Sequence, residues 1–204
     1  MSSTELSVDP GKAALLRRGL LLEYTTLGWN VVGTVIVIAA AIQARSVALA
    51  GFGLDSLIEI FASTIVVWQI KGIDCNREGR ALRLIGGAFF LLALYVSVQA
   101  TYTLVSGIHP APSWSGTIWL IVTVIAMFLL AWAKLIVGRQ LANPVISAES
   151  RVTLIDGYLA AAVLLGLILN AALGWWWADP LASLVLVYYG IKEGLEARRH
   201  ASEL

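Results

Sequence analysis

The chain has 204 residues, of which 59% are hydrophobic and 13% are charged. Soluble domains contain about 45–50% apolar and about 25% charged residues, so this composition excludes a soluble globular protein and predicts an integral membrane protein. The single cysteine excludes an internal disulfide and a cysteine-based zinc cluster. The net charge of +1 says little about partners, and no basic cluster with interleaved aromatic residues indicates nucleic acid.

Six apolar runs are long enough to span a bilayer, which takes about 20 residues per helix. They cover residues 21–43, 47–70, 84–106, 114–137, 150–173 and 176–191. The predicted fold class is therefore an all-α membrane protein, with six transmembrane helices in one domain over residues 1–204. The first run is long enough to be retained rather than cleaved as a signal peptide. We expect no soluble domain outside these runs.

Positive charges are distributed very unevenly between the two sets of loops. Thirteen of the fourteen lysines and arginines fall on one side, and Arg45 is alone on the other. The thirteen are Lys12, Arg17, Arg18, Lys71, Arg77, Arg80, Arg83, Lys134, Arg139, Arg151, Lys192, Arg198 and Arg199. Because positive loops stay in the cytoplasm, both termini are predicted to be cytoplasmic in a multi-pass protein of the cell (inner) membrane.

Two acidic residues interrupt the second run. Asp55 and Glu59 are four positions apart, so a helix places both carboxylates on one face. An acidic residue in a membrane helix costs about 2.5–3.5 kcal/mol on insertion scales. A proton, a cation or a partner on another helix must offset this cost.

A third acidic residue, Asp156, lies inside the fifth run at a depth compatible with a site shared with Asp55. Two three-span halves would be inverted relative to each other, and such halves commonly place a transport site between them near the midplane. Three converging carboxylates would bind a divalent cation or hold protons. Competition between metal and protons for the same oxygens is the physical basis of antiport. The alternative is that the acids are structural, either protonated or hydrogen-bonded between helices.

Two further acidic residues are predicted to be shallow. Glu23 lies near the inner end of the first run, and Glu149 lies at the start of the fifth. We expect both to be interfacial or paired with Arg17, Arg18 or Arg151, although either would also suit an entry site for a cation.

Small and capping residues are assigned structural roles. Asp179 before Pro180 is typical of an N-cap of the sixth helix. Four glycines in the second and third runs are predicted to allow close helix packing; they are Gly51, Gly53, Gly86 and Gly87.

Four passages of the chain resemble one transporter family. They are residues 46–59 (SVALAGFGLDSLIE), 138–146 (GRQLANPVI), 148–156 (AESRVTLID) and 177–184 (WADPLASL). In this spacing they resemble the second helix, the connector, the fifth helix and the start of the sixth helix of the cation diffusion facilitators. This family exports divalent transition metals against protons. The likeness covers about residues 20–196.

The resemblance implies a set of metal ligands. Asp55 and Glu59 match the two ligands of the family's second helix, and Asp156 matches the aspartate of the fifth. The family usually has a histidine where this chain has Val152. An all-oxygen site suits manganese, magnesium or ferrous iron better than zinc, although zinc also accepts carboxylates and water. Whether another helix supplies a replacement ligand, such as Asn30 of the first run, stays open.

The resemblance also sets expectations for regions outside this site. The loop after the second helix often carries an accessory metal site in the family; here Asp74 and Cys75 are the candidate ligands in a basic loop, which is more typical of a solvated loop. We expect the chain to lack the family's cytoplasmic C-terminal domain. The implied homodimer would then be held by the helices alone.

Three functional hypotheses follow, and none of them is an enzyme or requires a cofactor. The first is a metal–proton antiporter that exports a divalent cation, with zinc, manganese, cobalt, cadmium and iron as candidate substrates. The second is a transport-deficient regulatory or partner subunit that binds metal weakly. The third is an exporter of small organic cations, which would need aromatic residues beside Asp55; Phe52 lies on roughly the same helix face, whereas Phe61 does not.

Overall fold

The computed structural model describes the backbone of residues 10–70, 75–141 and 144–203, and most of their side chains. Its helices are α1 (Pro10–Ala44), α2 (Val47–Ile70), α3 (Cys75–Ser106), α4 (Trp114–Gln140), α5 (Pro144–Leu173) and α6 (Ala178–Glu203). Each of the six predicted runs corresponds to one helix, and no strand occurs in the described ranges. The predicted all-α fold class is confirmed.

Among the residues that the structure describes, four helical segments are long and apolar enough to cross a membrane by their length and composition. They are Arg17–Ala44, Arg83–Ser106, Trp114–Gln140 and Ser150–Leu173. α1 and α3 begin well before the apolar runs that predicted them, because the polar residues at their starts continue the helix beyond the apolar stretch.

The helices pack so that the acid-bearing α2 and α5 face the interior. α3 lies along α6, α4 lies along α5, and α1 contacts both α2 and α4. Buried aliphatic and aromatic side chains from five helices form one apolar core between them. Its members are Val37, Ala40, Ala41, Ala48, Leu49, Phe52, Leu120, Leu159, Ala160, Val163, Leu167 and Leu186.

Close packing at the predicted glycines is confirmed at three of four positions. A Cβ atom at Gly51 or Gly53 would lie 2.8 Å from a side chain of α6 or α1, respectively. A Cβ atom at Gly86 would lie 3.1 Å from a backbone oxygen of α6. Gly87 has open space around it, so its expected packing role was wrong.

The N-terminus of α2 is anchored to α6 by a buried carboxylate. Asp179 is fully buried, and its oxygens accept hydrogen bonds from the Ser46 hydroxyl and from the backbone N–H groups of Val47 (2.9 Å) and Ala48 (3.3 Å). The Ser46 hydroxyl oxygen in turn accepts from the N–H of Leu49 at 3.1 Å. The first turn of α2 therefore has partners for three N–H groups that no helical carbonyl can reach.

The predicted role of Asp179 as the N-cap of its own helix was wrong. α6 begins one residue earlier, at Ala178, and the Asp179 side chain turns to α2. A negative charge at a helix N-terminus is stabilised by the helix dipole, and here the helix is a neighbour in space rather than in sequence. This anchor positions the helix that carries Asp55 and Glu59.

Substitution of Asp179 by alanine is expected to lower the free energy of unfolding by about 3 kcal/mol, because it leaves buried N–H groups without an acceptor. Asp179→Asn keeps one acceptor oxygen and should lose less. Denaturant or thermal unfolding in detergent measures both, with Glu196→Ala at an exposed position as the control. An alanine variant as stable as wild type would contradict the anchoring role.

Candidate metal centre

The structure brings together the three acidic residues that the sequence singles out. Asp55 and Glu59 from α2 and Asp156 from α5 each offer a carboxylate oxygen, and these oxygens all lie within 4.8 Å of one another. Asp55 is 6% exposed and Asp156 is 3% exposed, while Glu59 is half-buried. We call these three residues the carboxylate cluster.

The dimensions of the carboxylate cluster suit a small divalent cation. Metal–oxygen distances of about 2.0–2.2 Å place the oxygens on opposite sides of an ion roughly 4.2 Å apart. Small side-chain rotations close the remaining difference. Within the described part of the chain, the Oδ1 atom of Asp156 is buried and has no hydrogen-bond partner. An acceptor in this position is stabilised by a bound cation or a proton.

A buried amide from α1 contacts the carboxylate cluster. Asn30 is 8% exposed, and its Nδ2 atom donates a hydrogen bond to Oε2 of Glu59 at 2.9 Å. Val152, at the position where the family usually has histidine, is 48% exposed and one turn before Asp156. Asn30, which the sequence left open as a replacement ligand, therefore contacts the carboxylate cluster as a hydrogen-bond donor to Glu59.

A buried lysine lies beside the carboxylate cluster, and the sequence analysis misplaced it. Lys134 was counted among the loop charges, but it lies within α4 and is 0% exposed. Its Nζ atom donates hydrogen bonds to Oε2 of Glu23 (2.9 Å) and to Oγ1 of Thr153 (3.1 Å). Glu23 therefore pairs with Lys134 rather than with an interfacial arginine, because a buried ammonium group requires a compensating charge.

Lys134 lies within the fourth apolar run, and that position was the signal in the sequence that it is not a loop residue. Two other predictions lie outside the described residues: the side chain of Glu149, and the proposed accessory site at Asp74 and Cys75.

The carboxylate cluster lies between two different environments. On α2, core residues Leu49 and Phe52 precede Asp55, and on α5, Leu159 and Val163 follow Asp156, so the apolar core packs on one side. On the opposite side are Glu23, Lys134 and Thr153, which we call the ionic layer.

A further acidic residue adds negative potential to the cluster. Glu193 of α6, just beyond the sixth predicted run, interacts electrostatically with Asp55, as does Asp156. Burial raises the pKa of Glu193 above its usual range, and neighbouring Glu196 raises it further. When ionised, Glu193 and the carboxylate cluster together attract a cation to this part of the bundle.

Comparison with known proteins identifies the family. The family model for the cation efflux transmembrane domain matches residues 82–203, which is more than half of the chain. The chain belongs to this family. The resemblance to the cation diffusion facilitators is thereby confirmed, and the matched region includes Asp156 but not the two acidic residues of α2.

Two curated relatives extend the comparison. The cation-efflux pump FieF of Shewanella oneidensis is 34% identical over 106 residues, which are 50% of this chain and 33% of that protein. The chain therefore matches about a third of the length of this pump. Transmembrane protein 163 of Xenopus laevis is 24% identical over 205 residues, covering 94% of this chain and 71% of that protein.

Asn30 is expected to position Glu59 for cation binding. Asn30→Ala should weaken binding of Mn²⁺ about tenfold, because Glu59 loses the hydrogen bond that holds its carboxylate. The matched control is Asn170→Ala, which removes a buried amide that donates to the backbone oxygen of Pro110 at 2.8 Å, away from the cluster. Calorimetric titration and thermal unfolding separate the two roles: equal losses of affinity in both variants would contradict the positioning role.

Proposed function

We propose that this protein exports divalent transition-metal cations across the cell membrane in exchange for protons. The observation that carries the proposal is the convergence of three carboxylate oxygens from Asp55, Glu59 and Asp156 within 4.8 Å in the interior of the bundle. Membership of the cation efflux family supports the direction of transport. Both termini would be cytoplasmic, as the charge distribution predicts.

Proton coupling is supported by the chemistry of the cluster. Metal binding requires deprotonated carboxylates, so a bound ion and bound protons exclude each other at the same oxygens. An empty cluster in a medium of low dielectric constant would take up protons to relieve repulsion between its charges. Protons arriving from outside would thus favour release of the ion, and loss of those protons to the cytoplasm would favour binding of the next one.

Asymmetric surroundings support alternating access. The apolar core packs against the cluster on the side where α2 begins and α5 ends. In the proposed topology this is the outer side, so passage of a hydrated ion to the outside requires α2 or α5 to separate from the core. Along α2, exposure rises towards the other side, from 6% at Asp55 to half-buried Glu59 one turn further on.

An all-oxygen ligand set favours harder ions. The three carboxylates offer oxygen atoms, which suit manganese or ferrous iron. Zinc, cobalt and cadmium remain candidate substrates, because zinc also binds carboxylates and water. A homodimer held by the helices is the assembly that the family resemblance implies.

The second candidate is a partner subunit that binds metal weakly and does not transport it. The position of Val152 favours it, because this exposed side chain supplies no ligand at the usual histidine position. An exporter of organic cations has less support: Phe52, which would have to lie beside Asp55, is packed in the apolar core.

Metal flux into proteoliposomes with an imposed proton gradient tests the first proposal. We expect flux of at least one of zinc, manganese, cobalt, cadmium and iron for wild type, and its loss in Asp55→Asn, Glu59→Gln and Asp156→Asn. Glu196→Gln neutralises a carboxylate at the protein surface, where its side chain is 54% exposed, and should leave flux unchanged. No flux of any metal by folded wild type would favour the partner subunit instead.

Restoring a nitrogen ligand should change ion preference. Val152→His places an imidazole one turn before Asp156 on α5, and imidazole favours zinc over manganese. The ratio of zinc affinity to manganese affinity is expected to rise by about tenfold or more, as measured by competition titration. Val98→His, at a valine of α3 that is 56% exposed, is the control; equal changes in both variants would contradict the assignment of Val152.

A further inference from the structure

The ionic layer is a second set of buried charges that metal binding by the carboxylate cluster does not explain. Its centre is the ammonium group of Lys134, which is fully buried and bridges α1 and α5 through Glu23 and Thr153. A lysine in the interior of a membrane protein is costly. Bundles can be held together by apolar packing alone, so a buried charge here indicates a further role.

The ammonium group is close to one of the cluster's carboxylates. Thr153 precedes Asp156 by three residues, which is a rise of about 4.5 Å along α5. Lys134 and Asp156 also interact electrostatically. Two of the three ammonium hydrogens have partners at Glu23 and Thr153.

Two carboxylate oxygens near Lys134 lack partners in the described residues. They are Oε1 of Glu23 and Oδ1 of Asp156, and both are buried. The lysine side chain is long and flexible. It therefore has an acceptor available on each side: the carboxylate that it contacts in this structure, and one in the cluster.

We propose that Lys134 is a tethered cation that competes with the metal ion for Asp156, and that Glu23 draws this cation away from the cluster. The inference rests on the proposed metal site. With Lys134 bound to Glu23, as observed, Asp156 is available to the ion. When Lys134 moves towards Asp156, it replaces part of the ion's positive charge and favours release.

This role predicts how each member of the salt bridge affects metal affinity, and the double variant distinguishes it from a static salt bridge. Removal of the ammonium in Lys134→Met should tighten metal binding by about tenfold or more, since a positive charge near the ion is lost. Removal of its partner in Glu23→Gln should weaken binding by a similar factor, because the ammonium then has the unpartnered Oδ1 of Asp156 as an acceptor. Two members of one salt bridge thus shift affinity in opposite directions.

Calorimetric titration of the purified full chain with Mn²⁺ alone and with Zn²⁺ alone measures these shifts, with thermal unfolding recorded for each variant. Lys192→Met removes an exposed lysine that pairs with Glu196 on α6, and should leave affinity unchanged. The double variant Lys134→Met, Glu23→Gln leaves no unpaired charge in the layer. This double variant should bind metal more tightly than wild type. It replaces Lys134→Met in the test if that single variant does not fold.

The outcomes separate this inference from the proposed function. If wild type binds neither ion, the proposed metal site is wrong and this inference fails with it. If wild type binds metal and Asp156→Asn does not, the site stands. In that case, affinity changes of the same sign in Lys134→Met and Glu23→Gln, or a double variant no tighter than wild type, would overturn the role of Lys134 alone.

Discussion

Repulsion among three clustered carboxylates, two of them buried, is the constraint on which the rest of this structure depends. Asp55, Glu59 and Asp156 lie within 4.8 Å of one another in the interior of the bundle, where like charges repel strongly. Such a cluster is stable only with a counter-charge or hydrogen-bond donors, and nearby polar groups supply part of this stabilisation. Asn30 donates to Glu59, and Lys134 adds a positive charge next to Asp156. A divalent cation or protons would supply the remainder, and exchange between these two is the basis of the proposed transport.

Stabilisation of a buried negative charge by nearby donors also explains how the bundle is held around the site. Asp179 is fully buried yet stable, because the first turn of α2 supplies N–H donors and the positive end of its dipole. That contact fixes the start of the helix at Val47, and Asp55 and Glu59 follow eight and twelve residues later. The apolar core then seals one side of the cluster, and the ionic layer lies on the other. A site with different barriers on its two sides is what alternating access requires.

The sequence predicts the six helices well, because long apolar runs dominate the chain and leave little choice of fold. It also predicts the candidate site residues, since Asp55 and Glu59 share a helix face and Asp156 lies at a compatible depth in the fifth run. Two other contacts between distant parts of the chain could not be predicted from the sequence. Asp179 and Ser46 are 133 residues apart, and Lys134 and Glu23 are 111 apart. Neither pairing follows from helical spacing, because spacing does not tell which helices are neighbours. Lys134 was misplaced although it lies inside the fourth predicted run, because its charge was counted with the loop residues; only its pairing with Glu23 required the structure.

The most direct test is to locate the ion. Crystals grown with Mn²⁺ and measured at the manganese absorption edge would give an anomalous difference map that identifies bound manganese. The proposed site predicts a peak within coordination distance of the carboxylates of Asp55, Glu59 and Asp156. A peak elsewhere in the bundle, or none between these residues in protein shown to be saturated with Mn²⁺, would contradict the central claim that these three carboxylates bind the transported ion.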